Sequence, residues 1–449
     1  MVIIENNTDL QILQQLVHEH DSFWIPVYSD TYKHYTQNQL SFIYIYSIKQ
    51  DKEFIFPICH YDCLSLDIDH IQHLTSQADI YILAKKRFKN FYSGKCYDAD
   101  LMAWWQTGFM LPLNETNTTA HDVWDRWWHN ETDTNNWLPI TRHIERCQLM
   151  RKEFMKVYSQ FKISDEFRTY DELAIDSFAK IEFSGIQINN DIFKEKFQTN
   201  GIHDSKVYTE YNLYTTTGRP SNKFGGINYA ALNKENGSRE AFQSRFANGF
   251  LLEYDYDAFH VRLIADLIDY QLPLESVHTY FGMQYFNKPE LTTDEYDQSK
   301  QITFRLLYGG IDKDFEQIPF FGETKKYIKL LWKSFNRDGY VTTPILHRQL
   351  FKSYLPDMNA NKLFNYMLQA TETEHNMIII ARIHEALKQH ASRLILYTYD
   401  SMLFDYDMND GKQFIMQMKT IMSEHGKYPV KIKAGTNYHK MCDMSSRVA

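Results

Sequence analysis

The sequence predicts a mixed α/β protein of more than one domain, and three observations support that fold class. The chain has 449 residues, 43% of them hydrophobic, which is enough for roughly two to four domains. Residues 22–60 contain three short β-rich runs separated by polar turns, and helical patterns follow to about residue 160. From residue 165 onward short strands alternate with longer helices, and no linker or repeat divides them. These patterns predict an α/β multidomain chain.

Charge and cysteine content limit the possible functions. The net charge of −9 argues against a simple basic nucleic-acid binder, because such proteins neutralise phosphates with many Lys and Arg residues. The dense basic run Lys85-Lys86-Arg87-Phe88-Lys89 is explained equally well as a solvated surface patch. The five cysteines are odd in number and mostly scattered, which fits reduced thiols. No apolar stretch is long enough to span a bilayer and the first residues do not form a secretory signal, so we expect a cytoplasmic protein without a membrane partner.

Two apolar runs each lead to an aspartate. Residues 249–255 predict a strand that holds Asp255 rigidly just before a helix. Residues 393–406 predict two strands that pivot on Asp400-Ser401 like a hairpin, with Asp400 at its tip. A single aspartate at a strand end is more often a helix cap or a turn residue, so neither run identifies a site by itself.

A third segment places a cation and two rings on one predicted helix. Lys300, Phe304 and Tyr308 are four residues apart and therefore share a helical face, which ends at Gly309-Gly310. Aromatic residues at this spacing usually belong to a core. In combination with two aspartates, however, they suit nucleotidyl transfer: carboxylates hold two Mg²⁺ ions, a lysine binds the departing phosphates, and a ring stacks on the base or sugar.

The order of these motifs resembles the family A (DNA polymerase I type) DNA polymerases over most of residues 165–440. The motifs that carry the resemblance are Thr217-Gly218-Arg219-Pro220-Ser221, Asp255-Tyr256 followed by Arg262, Lys300 with Phe304 and Tyr308-Gly309, Gly339-Tyr340-Val341, Asn365-Tyr366-Met367-Leu368-Gln369, and Asp400 in its apolar hairpin. The resemblance implies a right-hand polymerase domain in residues 161–449, with a palm at about 165–262 and 380–449 and fingers at about 263–380.

The resemblance also implies a role for individual residues. Two Mg²⁺ ions are expected on Asp255, Asp400 and the backbone carbonyl of Tyr256, and Lys300 completes the catalytic set. The expected dNTP-binding residues are Tyr256, His260, His278, Phe304 and Tyr308, and the expected DNA-binding residues are Arg219, Asn365 and Gln369. The DNA-binding side chains would touch minor-groove acceptors that every correct base pair presents.

The chain departs from the family pattern in three motifs. Tyr296 replaces an arginine four residues before Lys300, which removes one phosphate contact. His260 replaces the glutamate that excludes the ribose 2′-hydroxyl, which puts sugar discrimination in doubt. Tyr399-Asp400-Ser401 replaces His-Asp-Glu, which removes an auxiliary carboxylate but keeps the metal-binding aspartate.

Residues 1–160 resemble the family's RNase H-like 3′-to-5′ exonuclease domain in strand order and in Phe56-Pro57-Ile58-Cys59-His60. The expected metal ligands are missing from it. Asp30-Thr31-Tyr32 replaces Asp-x-Glu, residues 84–89 are basic where an aspartate is expected, and residues 141–147 lack Tyr-x-x-x-Asp. We therefore expect a degenerate domain without proofreading; the alternative is an α/β scaffold that never was an exonuclease.

Almost nothing lies between Asn190 and Tyr208, where the family inserts its thumb. We therefore expect the thumb to be reduced or absent and a processivity factor or another replisome protein to supply grip on the primed template. The predicted function is a DNA polymerase acting on primed DNA and dNTPs. The alternatives are a catalytically reduced DNA-binding or assembly subunit and an enzyme that also incorporates ribonucleotides. The composition and compact build are phage-like, so the host cytoplasm is the expected location.

Overall fold

The computed structural model describes residues 1–30, 33–72, 77–88, 95–112, 134–197, 205–224 and 227–447. The chain forms two compact units, Met1–Ala179 and Lys180–Ala449. The predicted boundary at residue 160 falls between the helices Ile140–Tyr158 and Asp165–Ser184 and stays a prediction. Among the described helices, none has the length and apolar character needed to cross a membrane.

The first unit is built on one mixed sheet. Its strands are β1 (Val2–Ile3), β2 (Ser22–Tyr28), β3 (Leu40–Ser47), β4 (Lys52–Pro57), β5 (Ile80–Ile82) and β6 (Cys96–Asp98). Its helices are α1 (Asn7–Glu19), α2 (Asp69–Gln72), α3 (Lys85–Phe88), α4 (Ala99–Thr107), α5 (Thr134–Trp137), α6 (Ile140–Tyr158) and α7 (Asp165–Ser184), the last of which continues into the second unit.

Within the described residues the strand order is β1-β4-β3-β2-β5-β6, with β3 antiparallel to both of its neighbours, β2 and β4, and the outer strands added in parallel. The three strands predicted between residues 22 and 60 are confirmed as β2, β3 and β4. Strands β5 and β6 were not predicted, because a buried run of three residues has too few positions to show a two-residue period.

The basic run of the first unit is only partly a surface feature. Lys85 and Lys86 are buried, so the interpretation as a solvated patch is wrong for these two residues. The Lys85 ammonium forms an ion pair with Asp171 and donates a hydrogen bond to the Cys96 carbonyl at 2.8 Å. The other oxygen of Asp171 accepts from the Asp98 amide at 2.7 Å. The predicted departures at residues 31, 32 and 89 lie outside the described residues.

The second unit contains the remaining elements. Its strands are β7 (Ile186–Gln187), β8 (Lys206–Val207), β9 (Tyr211–Asn212), β10 (Ser221–Phe224), β11 (Ile227–Asn228), β12 (Gly249–Tyr256), β13 (Tyr340–Thr342), β14 (Gln349–Phe351), β15 (Arg393–Thr398), β16 (Ser401–Asp407), β17 (Val430–Gly435) and β18 (Cys442–Asp443). Its helices are α8 (Asn190–Lys196), α9 (Phe259–Leu267), α10 (Val277–Phe286), α11 (Thr293–Gly309), α12 (Pro319–Asp338), α13 (Ala360–Ala386) and α14 (Gly411–Met422).

An antiparallel sheet and one long helix organise this unit. In the described part of the chain the main sheet has the order β15-β16-β12-β17-β18, so β12 lies at its centre. Helix α13 packs against α9, α11, α12 and α14 and is buried along most of its middle. Strand β12 is therefore held between two neighbouring strands, and helix α13 is held by four neighbouring helices.

Candidate active site

Asp255 and Asp400 lie on adjacent strands of the main sheet. Asp255 is the penultimate residue of β12 and pairs with Ser401, the first residue of β16. Asp400 directly precedes Ser401, and its carbonyl accepts a hydrogen bond from the Tyr256 amide at 3.0 Å. The predicted juxtaposition of a strand-end aspartate and a hairpin aspartate is therefore present, although the turn itself consists of Tyr399 and Asp400.

The hairpin turn has a backbone conformation that must be held by its surroundings. Tyr399 has φ of 67°, in the left-handed region that costs a side chain about 1–2 kcal/mol. The buried Asn376 of α13 donates to the Tyr399 carbonyl at 2.8 Å and to the Tyr397 hydroxyl at 3.2 Å. Helix α13 thus fixes the loop that carries Asp400.

Burial and neighbouring carboxylates raise the pKa of both aspartates. Burial, followed by the Asp400 and Glu253 charges, raises the pKa of Asp255 to about 6. Asp400 is an exposed residue at the tip, but the protein around its carboxylate displaces enough water to raise its pKa, and the Glu372 charge raises it further. Such repulsion between neighbouring carboxylates is relieved by a cation.

Helix α11 presents the predicted cation and rings on an open face. The helix begins with a capping box between Thr292 and Glu295, which satisfies its first amides. Phe304 and Tyr308 are 41% and 39% exposed, too much for the core residues that their spacing more often indicates. Their rings stack at 6.1 Å with an interplanar angle of 10°. The Lys300 ammonium lies 4.7 Å from the centre of the Tyr296 ring.

His278 stands behind this face rather than on it. The residue is buried, and its ring lies 5.7 Å from Phe304 and 6.2 Å from Tyr296. Burial lowers the pKa of His278 to about 4, so the imidazole is neutral at pH 7. Helices α10 and α11 pack closely at this point: Ser299 Oγ donates to the His278 carbonyl at 2.6 Å, and a Cβ on Gly282 would lie 3.0 Å from the Ser299 Cβ.

His260, at the start of α9, connects the strand that carries Asp255 to helix α11. Its Nδ1 lies 2.5 Å from the Tyr308 hydroxyl. Its Nε2 lies 3.1 Å from Glu372 Oε1, which forms an ion pair when the imidazole is protonated. Glu372 Oε2 lies 2.8 Å from Arg219 Nε. Both Glu372 contacts are close approaches without hydrogen-bond alignment, so their attraction is electrostatic.

The predicted DNA-binding residues lie around the same network. Arg219 stacks over the Tyr399 ring, with 3.7 Å between Cζ and the ring centre. Gln369 accepts a hydrogen bond from the Thr217 hydroxyl at 3.3 Å, and Asn365 donates to the Tyr308 carbonyl at 3.3 Å. The loop before Arg219 turns at Gly218, whose φ of 75° favours glycine.

Two charged residues of this region were missed by sequence reasoning. Glu372 is 1% exposed at the centre of the network. The only sequence signal for it was that His260 stands where the family has a glutamate. Lys431 lies directly opposite Asp255 in β17 and forms an ion pair with Asp257. No sequence signal identified Lys431, because the register between β12 and β17 depends on the tertiary fold.

The sheet, the central helix and the helix with the open face define the fold of a polymerase domain. The POL domain of Pol1 from M. smegmatis, solved in complex with DNA primer-template and dNTP, is similar with a TM-score of 0.69 and 14% sequence identity, covering 98% of this chain and 99% of that chain. DNA polymerase I of Lactococcus lactis subsp. cremoris (strain MG1363) is 24% identical over 280 residues, which are 53% of this chain and 31% of that protein.

These similarities confirm the resemblance to family A DNA polymerases that the motifs predicted. The chain spans about a third of the length of the curated relative it matches. No family model matches the chain. The activity of that relative is therefore a proposal for this chain.

Proposed function

We propose that the chain is a template-directed DNA polymerase that adds deoxynucleotides to the 3′ end of a primer. The observation that carries the proposal is the placement of Asp255 and Asp400 on adjacent strands, connected through His260 to the open face of α11. The similarity to DNA polymerase I supports the same conclusion. In this proposal the palm is at about 165–262 and 380–449, and the fingers are at about 263–380.

The donor atoms of the site fit two Mg²⁺ ions. Carboxylates of Asp255 and Asp400 and the carbonyl of Tyr256 are hard oxygen ligands of the kind Mg²⁺ prefers. The pKa of Asp255 is raised first by burial and then by the Asp400 charge, and bound cations would relieve this excess of negative charge. Bound there, the ions would polarise the primer 3′-hydroxyl and neutralise triphosphate charge.

The residues of α11 would bind the nucleotide. Lys300 would contact the departing phosphates, and Tyr296, in place of an arginine, contributes a ring beneath its ammonium rather than a second charge. Phe304 and Tyr308 would form the platform for base and sugar, because both rings are exposed and parallel. His278 is neutral and would contribute hydrogen bonding rather than charge.

The residues around Gln369 would contact the primer-template end. Gln369 and Asn365 lie on α13, where Gln369 meets the Arg219 loop at the Thr217 hydroxyl and Asn365 meets α11 at the Tyr308 carbonyl. Donors at these positions would bind purine N3 and pyrimidine O2, acceptors that are shared by all correct pairs. This contact would test the shape of a pair without reading its sequence.

We assign residues 1–160 to a degenerate RNase H-like exonuclease domain without proofreading. The buried Lys85 ammonium, paired with Asp171, occupies the basic stretch where a metal-binding aspartate was expected. A mismatched primer end should therefore stay untrimmed, and metal-dependent removal of it by this chain would refute this assignment.

We further propose that the thumb is reduced and that a replisome protein, such as a processivity factor, supplies grip on DNA. The net charge of −9 supports this proposal, because an acidic protein binds phosphates weakly by itself. The phage-like origin and host-cytoplasm location stay predictions. Processive synthesis by the chain alone would argue against the partner.

Primer extension tests the central proposal. The native chain is compared with Asp255→Asn and Asp400→Asn, which each remove one charge at constant volume, and with Asp297→Ala, an exposed aspartate of α11, as the control. We expect extension with Mg²⁺ by the native chain and the control, and its loss in both asparagine variants. Extension that needs host-cell extract would support the partner.

Two other outcomes would favour the alternatives. If the native chain extends no primer in any condition but still binds DNA, the non-catalytic DNA-binding or assembly subunit is favoured. Equal incorporation of ribonucleotides and deoxyribonucleotides would favour an enzyme with relaxed sugar selectivity, which is motivated by His260 in place of a glutamate.

A further inference from the structure

Glu372 is a buried carboxylate between two predicted substrate-binding residues. It is 1% exposed on α13, and its two oxygens lie 3.1 Å from His260 Nε2 and 2.8 Å from Arg219 Nε. Burial alone would raise the pKa of Glu372, but the His260 and Arg219 side chains outweigh it and hold the pKa below its ordinary value. Glu372 is therefore an anion that faces both residues.

We propose that Glu372 is a positioning residue that fixes His260 and, through it, Tyr308, so that the nucleotide pocket favours deoxyribose over ribose. This inference rests on the proposed polymerase function. An imidazole has one nitrogen on each side of its ring, so a partner at Nε2 sets the direction in which Nδ1 points. With Glu372 at Nε2, Nδ1 meets the Tyr308 hydroxyl at 2.5 Å.

The same anion also holds Arg219. The guanidinium lies against the Tyr399 ring, in the turn that carries Asp400. Arg219 has a side chain that is 27% exposed and His260 one that is 12% exposed, so both retain a surface toward the open face while their inner sides meet Glu372. One buried charge thus contacts side chains from two separate segments and, through His260, reaches Tyr308 on a third.

Stability is a poor explanation for this arrangement. Burying a carboxylate and its partners costs desolvation energy, and replacing such a cluster with neutral groups of similar shape is often neutral or stabilising. A positioning role and a purely structural role therefore differ in what they predict. Because Arg219 and His260 keep exposed surface, removal of the Glu372 charge with retention of shape should alter substrate binding while the fold persists.

The test uses the full chain with Glu372→Gln and a matched control, Glu374→Gln. Glu374 is also 1% exposed on α13, but its carboxylate accepts from the Leu346 amide at 2.9 Å and touches none of the predicted site residues. Steady-state extension of a primed template by one nucleotide gives KM and kcat for a dNTP and for the matching rNTP. Thermal unfolding of each variant checks that it folds.

We expect Glu372→Gln to raise KM for the dNTP on the order of tenfold, with a smaller change in kcat, and to narrow the preference for dNTP over rNTP. Glu374→Gln should keep both values. If Glu372 acts through His260, adding Glu372→Gln to His260→Gln should change the sugar preference little further, because the two residues form one unit.

The outcomes separate this inference from the proposed function. An inactive native chain overturns the proposed function and this inference with it. If the native chain is active and Glu372→Gln keeps the native KM and the native preference for dNTP over rNTP, this inference alone is overturned. It is also overturned if Glu372→Gln and Glu374→Gln change these two quantities equally. If Glu372→Gln does not fold, Glu372→Asp replaces it in the test, because it keeps the charge on a shorter side chain. We then expect Glu372→Asp to raise KM for the dNTP, and a native KM in this variant overturns the inference.

Discussion

Lys85→Met should destabilise the first unit by about 3–5 kcal/mol. The Lys85 ammonium pairs with Asp171, and these residues are 5% and 2% exposed, so the pair is shielded from solvent. Methionine is similar in length and volume but carries no charge. The substitution therefore leaves Asp171 as a buried carboxylate with no cation beside it.

The magnitude follows from three contributions. Breaking a buried ion pair costs about 3–5 kcal/mol, the Cys96 carbonyl loses a donor worth about 1 kcal/mol, and the buried methionine returns a similar amount through its apolar surface. Burial already raises the pKa of Asp171 in the native chain, and the loss of Lys85 would raise it further. Since the folded variant then holds a proton more tightly than the unfolded chain, its free energy of unfolding should fall as the pH rises above the ordinary aspartate value.

Urea denaturation followed by tryptophan fluorescence measures this change. The chain has eight tryptophans, and all except Trp332 precede residue 180, so the signal reports mainly on the first unit. A loss of about 4 kcal/mol at an m-value of about 2 kcal/mol/M lowers the midpoint by about 2 M. Lys52→Met, at an exposed lysine of β4, is the control.

A second substitution tests the cause. Asp171→Asn removes the charge but keeps an oxygen for the Asp98 amide, so Lys85→Met combined with Asp171→Asn should recover most of the lost stability. A Lys85→Met midpoint equal to the native one, or a double variant no more stable than Lys85→Met, would refute the reasoning.

Two further predictions concern the second unit. Lys300→Met should raise KM for dNTPs about ten- to a hundredfold by removing a charge-assisted phosphate contact, whereas Lys329→Met, at an exposed lysine of α12, should not; equal KM values in steady-state extension would contradict this role. His278→Gln should flatten the pH dependence of stability. Burial lowers the pKa of His278 to about 4, while its pKa in the unfolded chain is about 6.5. The unfolded chain therefore binds more protons than the folded chain between these pH values, so the stability of the native protein should rise with pH. In urea titrations from pH 4 to 7, the free energy of unfolding should rise by about 3 kcal/mol more for the native chain than for the variant. Parallel curves would contradict the assignment.

Local sequence patterns were sufficient to locate the two aspartates. An apolar run followed by helical periodicity placed Asp255 at the end of a strand, and two apolar runs around a polar pair placed Asp400 in a turn. Spacing of four residues placed Lys300 and Tyr308 on one helical face. Each of these features depends on residues close together in the chain, so periodicity reveals it.

Contacts between distant segments could not be obtained in this way. The His260–Tyr308 hydrogen bond joins residues 48 positions apart, and Glu372 meets Arg219 from another element altogether. Glu372 lies in a stretch of α13 where polar and apolar residues are buried alike, so its burial leaves no amphipathic signal. The burial of Lys85 was missed because its partner Asp171 lies on a separate helix, far away in the chain.

The absence of a side chain at Gly282 has a consequence for motion. A Cβ at Gly282 would lie only 3.0 Å from the Ser299 Cβ, and Ser299 Oγ donates to the His278 carbonyl, so helices α10 and α11 are in close contact here. We therefore expect the two helices to move as one body rather than to slide past each other. In the proposed polymerase, a movement of α11 that carries Lys300 toward a triphosphate would also carry His278, so these two predicted dNTP-binding side chains would approach the nucleotide together.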